Sequence, residues 1–263
     1  MTDSVEILEA YSREHYGLPF VFSNIAIETS NFCNRDCSFC PVGHERKPAR
    51  RMEPPMFAKI VAELAAIGYR GDIALHWYNE PLVDTRLPEF VAMLRAACPH
   101  SHIYAASNGD LLTVSLFARL VAAGLNLLRV SQYDGAISPN VRAVMDGPLG
   151  YRLCVGVKGP AELGNNRGGS IATLPEPLAM RCNRPDEQLT IDAHGNAVLC
   201  CNDYHGSYTI GSVRNATLTE LWTSAPMRSA RQRLRVGDRT QIAVCRHCNE
   251  PDRRYVDLIP RGV

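Results

Sequence analysis

This 263-residue chain lacks several features, and each absence narrows what it can be. It contains no run of about 18 apolar residues, the least that a helix needs to cross a bilayer, so no membrane partner is expected. Its first residues (Met1, Thr2, Asp3, Ser4, Val5, Glu6) lack the basic-then-apolar order of a secretory signal, which points to a cytoplasmic protein. Charge of one sign is also missing. The 28 Lys and Arg nearly cancel the 27 Asp and Glu, leaving a formal net charge of +1. Such a chain has no long-range field with which to attract a polyanion, so nucleic acid is not an expected partner. Internal repeats and low-complexity tracts are absent as well.

The residues that are present describe an ordinary folded protein. At 46% hydrophobic and 21% charged, the chain has enough apolar surface to bury a core, and its length allows two domains at most. Ten cysteines are the conspicuous feature. Cytosolic reductants keep thiols from pairing, so metal binding is their leading explanation.

From Ser23 to about Val157, short β-branched segments alternate with amphipathic ones, as βα units around a parallel sheet do. Five strands are expected near Asn24 to Glu28, Asp72 to His76, His102 to Ala106, Leu127 to Ser131 and Arg152 to Val157. Met56, Ile60, Val61, Leu64 and Ile67 recur at helical spacing, as do Leu87, Phe90, Val91 and Leu94. Gly68 marks the end of the first helix. Thr113 caps a third carrying Leu116, Phe117, Leu120 and Val121, and Ser138 with Pro139 opens a fourth that ends at Gly147. Beyond Val157, Gly159, Pro160, Gly164, Asn165, Asn166, Gly168, Gly169, Pro175 and Pro177 break the pattern, which sets a domain boundary at 160/161. Gln188 to Asp192 and Ala197 to Cys201 then flank His194, Gly195 and Asn196 as a β-hairpin, and a helix from about Thr217 to Leu234 is interrupted near Pro226. The expected organisation is an N-terminal extension (1–22), an α/β unit (23–160) and a smaller C-terminal unit (161–263).

Cys33, Cys37 and Cys40 form CxxxCxxC on the loop after the first strand. A four-iron cube takes four ligands, so three thiolates leave one iron open to an exogenous ligand. Structural zinc ordinarily takes four ligands, and His44 is the available fourth. Cys182, Cys200, Cys245 and Cys248 form a second set that can saturate either a cluster or a zinc ion.

At the first set, the sequence resembles the radical S-adenosylmethionine (SAM) superfamily, whose motif has this spacing after the first strand of a partial barrel. Trp77, Tyr78, Asn79, Glu80 and Pro81 look like the segment that receives the SAM amino group, usually GGEP; only Glu80 and Pro81 match it. Ser107 and Asn108 with Gly109 resemble the ribose-contacting segment, and Ser131 and Gln132 end the fourth strand where a polar side chain usually reaches the ribose or carboxylate. The second half resembles Twitch, a shortened SPASM domain with one auxiliary cluster. The cysteine intervals of 18, 45 and 3 resemble those of an aminocyclitol-oxidising member. The resemblance covers about Asn24 to Cys248. It implies a partial (β/α) barrel of about five strands and four helices, with a small Twitch domain containing a β-hairpin and a helix. The implied cofactors are two 4Fe-4S clusters and SAM.

The implied reaction is oxidation of a carbinol carbon in a small polar substrate, an aminocyclitol or amino sugar, with a flavodoxin or similar protein as electron donor. Arg167, upstream of the first auxiliary cysteine, is the nearest match to the arginine of the related dehydrogenase. Its pKa makes it a poor base, so it would orient the hydroxyl or stabilise the alkoxide. His76, Tyr78, Tyr133 and Arg152 are further candidates to line the pocket. The basic loop His44 to Arg51 reads first as a solvated loop, and second as a contact for an acidic group or the electron donor. Two other readings remain. One is epimerisation of a sugar or peptide residue, with Cys154 returning the hydrogen atom. The other is a zinc-stabilised binding protein without catalysis. Cys98 and Cys201 are expected to be packing residues.

Overall fold

The structure is a computed structural model that describes residues 4–18, 20–158 and 165–251. The expected boundary at 160/161, with Gly159, Pro160 and Gly164, lies outside the described residues. An N-terminal helix, α1 (Ser4–Tyr16), precedes five strands: β1 (Asn24–Ile27), β2 (Asp72–Ala74), β3 (His102–Ser107), β4 (Leu127–Gln132) and β5 (Leu153–Val157). The longer helices between them are α2 (Pro54–Ala66), α3 (Leu87–Ala97), α4 (Val114–Ala122) and α5 (Pro139–Met145). These match the sequence reading to within one or two residues at most ends.

The reasons are local. Gly68, at φ +60°, ends α2 by letting its own N–H and that of Tyr69 return to Ala65 and Leu64. Thr113 Oγ1 accepts the Leu116 N–H at 3.1 Å and starts α4. Ser138 with Pro139 opens α5 as expected. Its hydroxyl caps nothing, and the start of α5 is fixed by its backbone N–H, which donates to Gln132 Oε1 at 2.7 Å.

The C-terminal half contributes β6 (Gln188–Ile191), β7 (Asn196–Val198) and β8 (Thr209–Ser212). The expected β6–β7 hairpin is present, and Asp192 shapes its turn by accepting the backbone N–H groups of His194 and Asn196. The hairpin does not stand apart, however. One eight-stranded sheet runs β5-β4-β3-β2-β1-β6-β7-β8, and β6 pairs with β1 in parallel, Asn24 opposite Gln188 through Ile27 opposite Ile191. The long helix is split as expected, into α6 (Leu218–Trp222) and α7 (Ala225–Arg235). Thr217 and Glu220 form a capping box on α6, and Ser224 caps α7.

The period of two along each strand divides the sheet chemically. Ile25, Ile27, Ile73, Leu75, Ile103, Leu128, Val130, Leu189 and Ile191 face the helices and are buried in the main core, where Phe57 of α2 stacks on Phe90 of α3 at 4.1 Å between ring centroids. The opposite, inner face is lined at mid-strand by Ala26, Ala74, Tyr104 and Leu127. Ala26 and Ala74 leave room there, and the space above this layer holds the site.

Candidate active site

A cavity of about 290 Å³ opens at the carboxyl ends of β1 to β5, the face where such sheets collect functional loops. Cys33, Cys37 and Cys40 line it, with Tyr78, Asn79, Glu80, Ser107, Asn108, Ser131 and Arg167. Three thiols, six of the seven residues expected around SAM, and the expected catalytic arginine thus share one space.

The cysteine loop is held from its own backbone and from neighbouring strands. Cys40 N–H donates to Cys37 O at 3.0 Å, and Arg46 donates to Cys33 O at 2.9 Å while pairing with Asp36 at 2.6 Å. Arg35 pairs with Asp110 at 2.6 Å and Asp134 at 2.7 Å, fastening the loop to the ends of β3 and β4. Gly43 is required by close approach, since a Cβ there would lie 2.4 Å from Cys37 O. His44 holds Ser38 O through Nε2 at 2.6 Å, so that nitrogen is a hydrogen-bond donor rather than a metal ligand. The basic loop is also structural: Lys47 donates to Tyr204 O, Arg50 pairs with Glu53 and Arg51 lies over Phe32.

Glu80 is the hub of the SAM-facing wall. Its carboxylate accepts from Ser107 Oγ at 2.7 Å, Asn108 N at 2.7 Å and Leu82 N at 3.0 Å. Burial raises its pKa and these donors oppose the rise, leaving capacity for one further donor. Gln132 does not line the cavity. Both ends of its amide are engaged, donating to Asn108 O at 2.7 Å and accepting from Ser138, so it positions Asn108. Asn79 Nδ2, Tyr78 Oη and Arg167 Nε are buried without a hydrogen-bond partner. Arg167 is also the one non-glycine residue with positive φ (+53°) among the described residues, held in its turn by Asn165 Oδ1 at 2.7 Å. Such backbone costs on the order of 1 kcal/mol and collects at functional sites.

Two candidates lie elsewhere. Cys154 is on the inner face, packed against the Ala26, Ala74, Tyr104 and Leu127 layer, and does not line the cavity. Arg152 points away to Leu125 O and the Tyr151 ring. His76, Tyr78 and Tyr133 do line the cavity, as expected. Arg129 and Lys158 line it too, and the sequence reading passed over both. A signal for Arg129 was available: on β4 it alternates with Val130 and so shares a face with Ser131.

The second set is enclosed. Cys200, Cys245 and Cys248 are buried and Cys182 is partly so. Burial first, then the neighbouring Cys201, Cys245, Cys248 and Cys182, push the Cys200 thiol well up, so these sulfurs share one locality. Asn202 Nδ2 donates to Cys248 Sγ at 3.7 Å, and the buried Arg239 ties the segment together through Met180 O, Arg181 O, Cys248 O and Glu250 O. Cys201 does more than pack: Arg184 Nη1 donates to its sulfur at 3.3 Å. Cys98 is buried at the end of α3, with its thiol pushed up to about 11 by burial.

Both sets fit iron–sulfur clusters chemically. Burial raises the thiols of Cys33, Cys37 and Cys40, and a bound cationic cluster reverses that preference by taking thiolates. No three His, Cys, Asp or Glu side chains among the described residues are gathered tightly enough for a single metal ion. A zinc tetrahedron with bonds of about 2.3 Å needs that tightness, whereas a cube binds each thiolate to a different iron. The two sites face each other across a short aromatic bridge: Cys33 and Cys40 pack against Tyr78 and Tyr204, and Trp77 Nε1 donates to Cys201 O at 2.9 Å.

Comparison with known proteins agrees with this geometry. The radical SAM superfamily model matches residues 27–144, and the SPASM iron–sulfur cluster-binding domain matches residues 182–249. An S-adenosyl-L-methionine-dependent 2-deoxy-scyllo-inosamine dehydrogenase from Niallia circulans is 28% identical over 234 residues, covering 87% of this chain and 93% of that protein. The crystal structure of BtrN in complex with AdoMet and 2-DOIA superposes with a TM-score of 0.80 at 28% identity, covering 88% of this chain and 94% of that one. The structure of anSMEcpe with bound AdoMet shares the fold, with a TM-score of 0.55 at 11% identity over 78% and 82% of the two chains. This chain therefore carries a radical SAM domain followed by a C-terminal iron–sulfur cluster-binding domain of the SPASM type.

Proposed function

We propose that this protein is a radical SAM dehydrogenase that oxidises a carbinol carbon of an aminocyclitol or amino sugar to a ketone. One observation carries the reading: Arg167 and the three-cysteine loop line a single cavity, while four more cysteines, three of them buried, gather in the C-terminal half. When bound, a three-thiolate 4Fe-4S cluster with SAM supplies a deoxyadenosyl radical that takes the carbinol hydrogen atom, and a four-thiolate cluster supplies an acceptor for the remaining electron.

The chain's own residues prepare that chemistry. Cys33, Cys37 and Cys40 would hold the first cluster, and Cys182, Cys200, Cys245 and Cys248 the second. Glu80, backed by Ser107 and Asn108, offers its spare acceptor position to the SAM amino group. The Arg167 guanidinium is placed to orient the substrate hydroxyl and to stabilise negative charge on that oxygen as its proton passes to water. Epimerisation is less well supported, because Cys154 is packed in the apolar layer and does not line the cavity. A flavodoxin-type donor in the cytoplasm is the expected source of the initiating electron. No helix among the described residues is long and apolar enough to cross a membrane.

Anaerobic incubation with SAM, dithionite and a panel of aminocyclitols tests the reading. Ketone and 5′-deoxyadenosine should form in equal amounts. Recovery of a stereoisomer carrying solvent deuterium, with no ketone, would replace it with epimerisation.

A further inference from the structure

We infer that the ring oxidised here carries an anionic substituent, a carboxylate or a phosphate monoester, held on the cavity floor by Arg129 with His76 beside it. The substrate ring is taken from the dehydrogenase reading above; the anion subsite stands on its own observations.

Among the charged groups lining the cavity, only the guanidinium groups of Arg129 and Arg167 have no hydrogen bond or ion pair among the described residues. Arg35 is paired with Asp110 and Asp134, and Glu80 accepts three hydrogen bonds. Arg167 stands near Cys40, Tyr78 and Tyr133 at the upper wall, where its charge bears on all three. Arg129 lies deeper. It is opposite Ala106 and Cys154 in the sheet register, one pleat below Ser131, and has no hydrogen bond or ion pair among the described residues. It is only partly exposed, and its exposure is to the cavity. A guanidinium so placed loses hydration without a partner, which is costly unless a ligand completes it.

Its neighbour matches it in polarity. The backbone N–H of Ala106 donates to His76 Nδ1 at 3.1 Å, so the ring proton sits on Nε2. Burial and the nearby Arg129 push the His76 pKa down to about 3, leaving a neutral donor. The floor thus presents the five donors of a guanidinium and one imidazole N–H. Glu80 is the single carboxylate lining the cavity among the described residues. A ring whose ionic group is only an ammonium finds nothing on this floor to pair with. A carboxylate or phosphate finds a planar fork suited to bidentate contact.

Calorimetry on the anaerobically reconstituted, SAM-loaded enzyme distinguishes the cases without requiring turnover. The probes are 2-deoxy-scyllo-inosamine, its phosphate monoester and an amino sugar uronate. At least one acidic probe should bind tenfold or more tighter than the unsubstituted inosamine, and which of the two does so identifies the anion. Arg129→Gln should weaken that probe about thirtyfold or more and the unsubstituted inosamine less than threefold, with partial recovery in Arg129→Lys. Equal binding of all three probes overturns the subsite. So does an Arg129→Gln variant whose main defect is a raised Kd for SAM, which would assign the guanidinium to the SAM carboxylate. If acidic rings bind as expected but no ketone forms from any ring, the dehydrogenase reading fails while the anion subsite stands.

Discussion

The two cysteine sets use one ligand chemistry in opposite settings. Cys33, Cys37 and Cys40 are partly exposed on a loop at the mouth of a cavity, whereas Cys200, Cys245 and Cys248 are buried beneath Arg239 and Asn202. Access would separate the roles proposed for them. A cluster that activates a cosubstrate must present an iron to a space large enough to admit it, and a cluster that only passes electrons gains from enclosure. The fixing contacts differ in the same sense. The first loop is pinned by charged pairs at its rim, Arg35 and Arg46, which leave the sulfurs facing the cavity. The second set is surrounded by donors aimed at sulfur or at its backbone, notably Asn202 Nδ2 to Cys248 Sγ and Arg239 to Cys248 O.

The contrast can be broken most directly at the first set. Cys37→Ala should reduce 5′-deoxyadenosine formation to background while about half the iron remains, as measured by iron analysis and EPR; full iron content with intact SAM cleavage would erase the distinction. Next in size is Cys245→Ala, which should abolish ketone formation while SAM is still cleaved without product. That variant should also unfold at lower temperature, because a structural cluster contributes to folding stability. Arg167→Ala sharpens the comparison from the cavity side. Ketone should fall by about 100- to 1,000-fold, the usual cost of losing a group that stabilises charge on oxygen, and SAM cleavage should become uncoupled.

The smallest expected effect concerns the wall between the two regions. Glu28 is buried just beyond β1 and accepts the Ala193 N–H at 3.1 Å; burial raises its pKa from 4.5 to about 8. The folded state therefore favours the protonated acid. Its contribution is fully present below pH 4.5 and is lost as the pH rises through 8. Glu28→Gln should remove that loss, making the variant more stable than the parent at pH 8.5 by on the order of a few kcal/mol and little different near pH 5. Denaturant titrations at the two pH values check this. A parent whose stability is flat across the window would contradict the assignment.

Much of this was legible in the sequence, and the rest has identifiable reasons for being hidden. Helix α4 was marked by Thr113 and a 3.6-residue apolar period, which are properties of neighbouring residues. Cys33, Cys37 and Cys40 announced themselves through spacing alone. Arg152 was misplaced because nearness to a strand does not say which end of the strand a side chain reaches toward, and here it turns to Leu125. Gln132 was correctly put at the end of β4, but sequence could not show that both ends of its amide would be used by the protein itself. That β6 joins the sheet of the first five strands is not legible in the sequence, because parallel pairing between Asn24 and Gln188, 164 residues apart, leaves no local signature.

By itself, then, the sequence determined the element types and the two thiol sets, because propensity, capping and ligand spacing act over a few residues. The tertiary structure decided which set opens to a cavity and that Arg129 reaches its floor without a partner. It also decided that β6 extends the barrel sheet. These are outcomes of long-range packing, in which the partner of each group is chosen from the whole chain rather than from its neighbours.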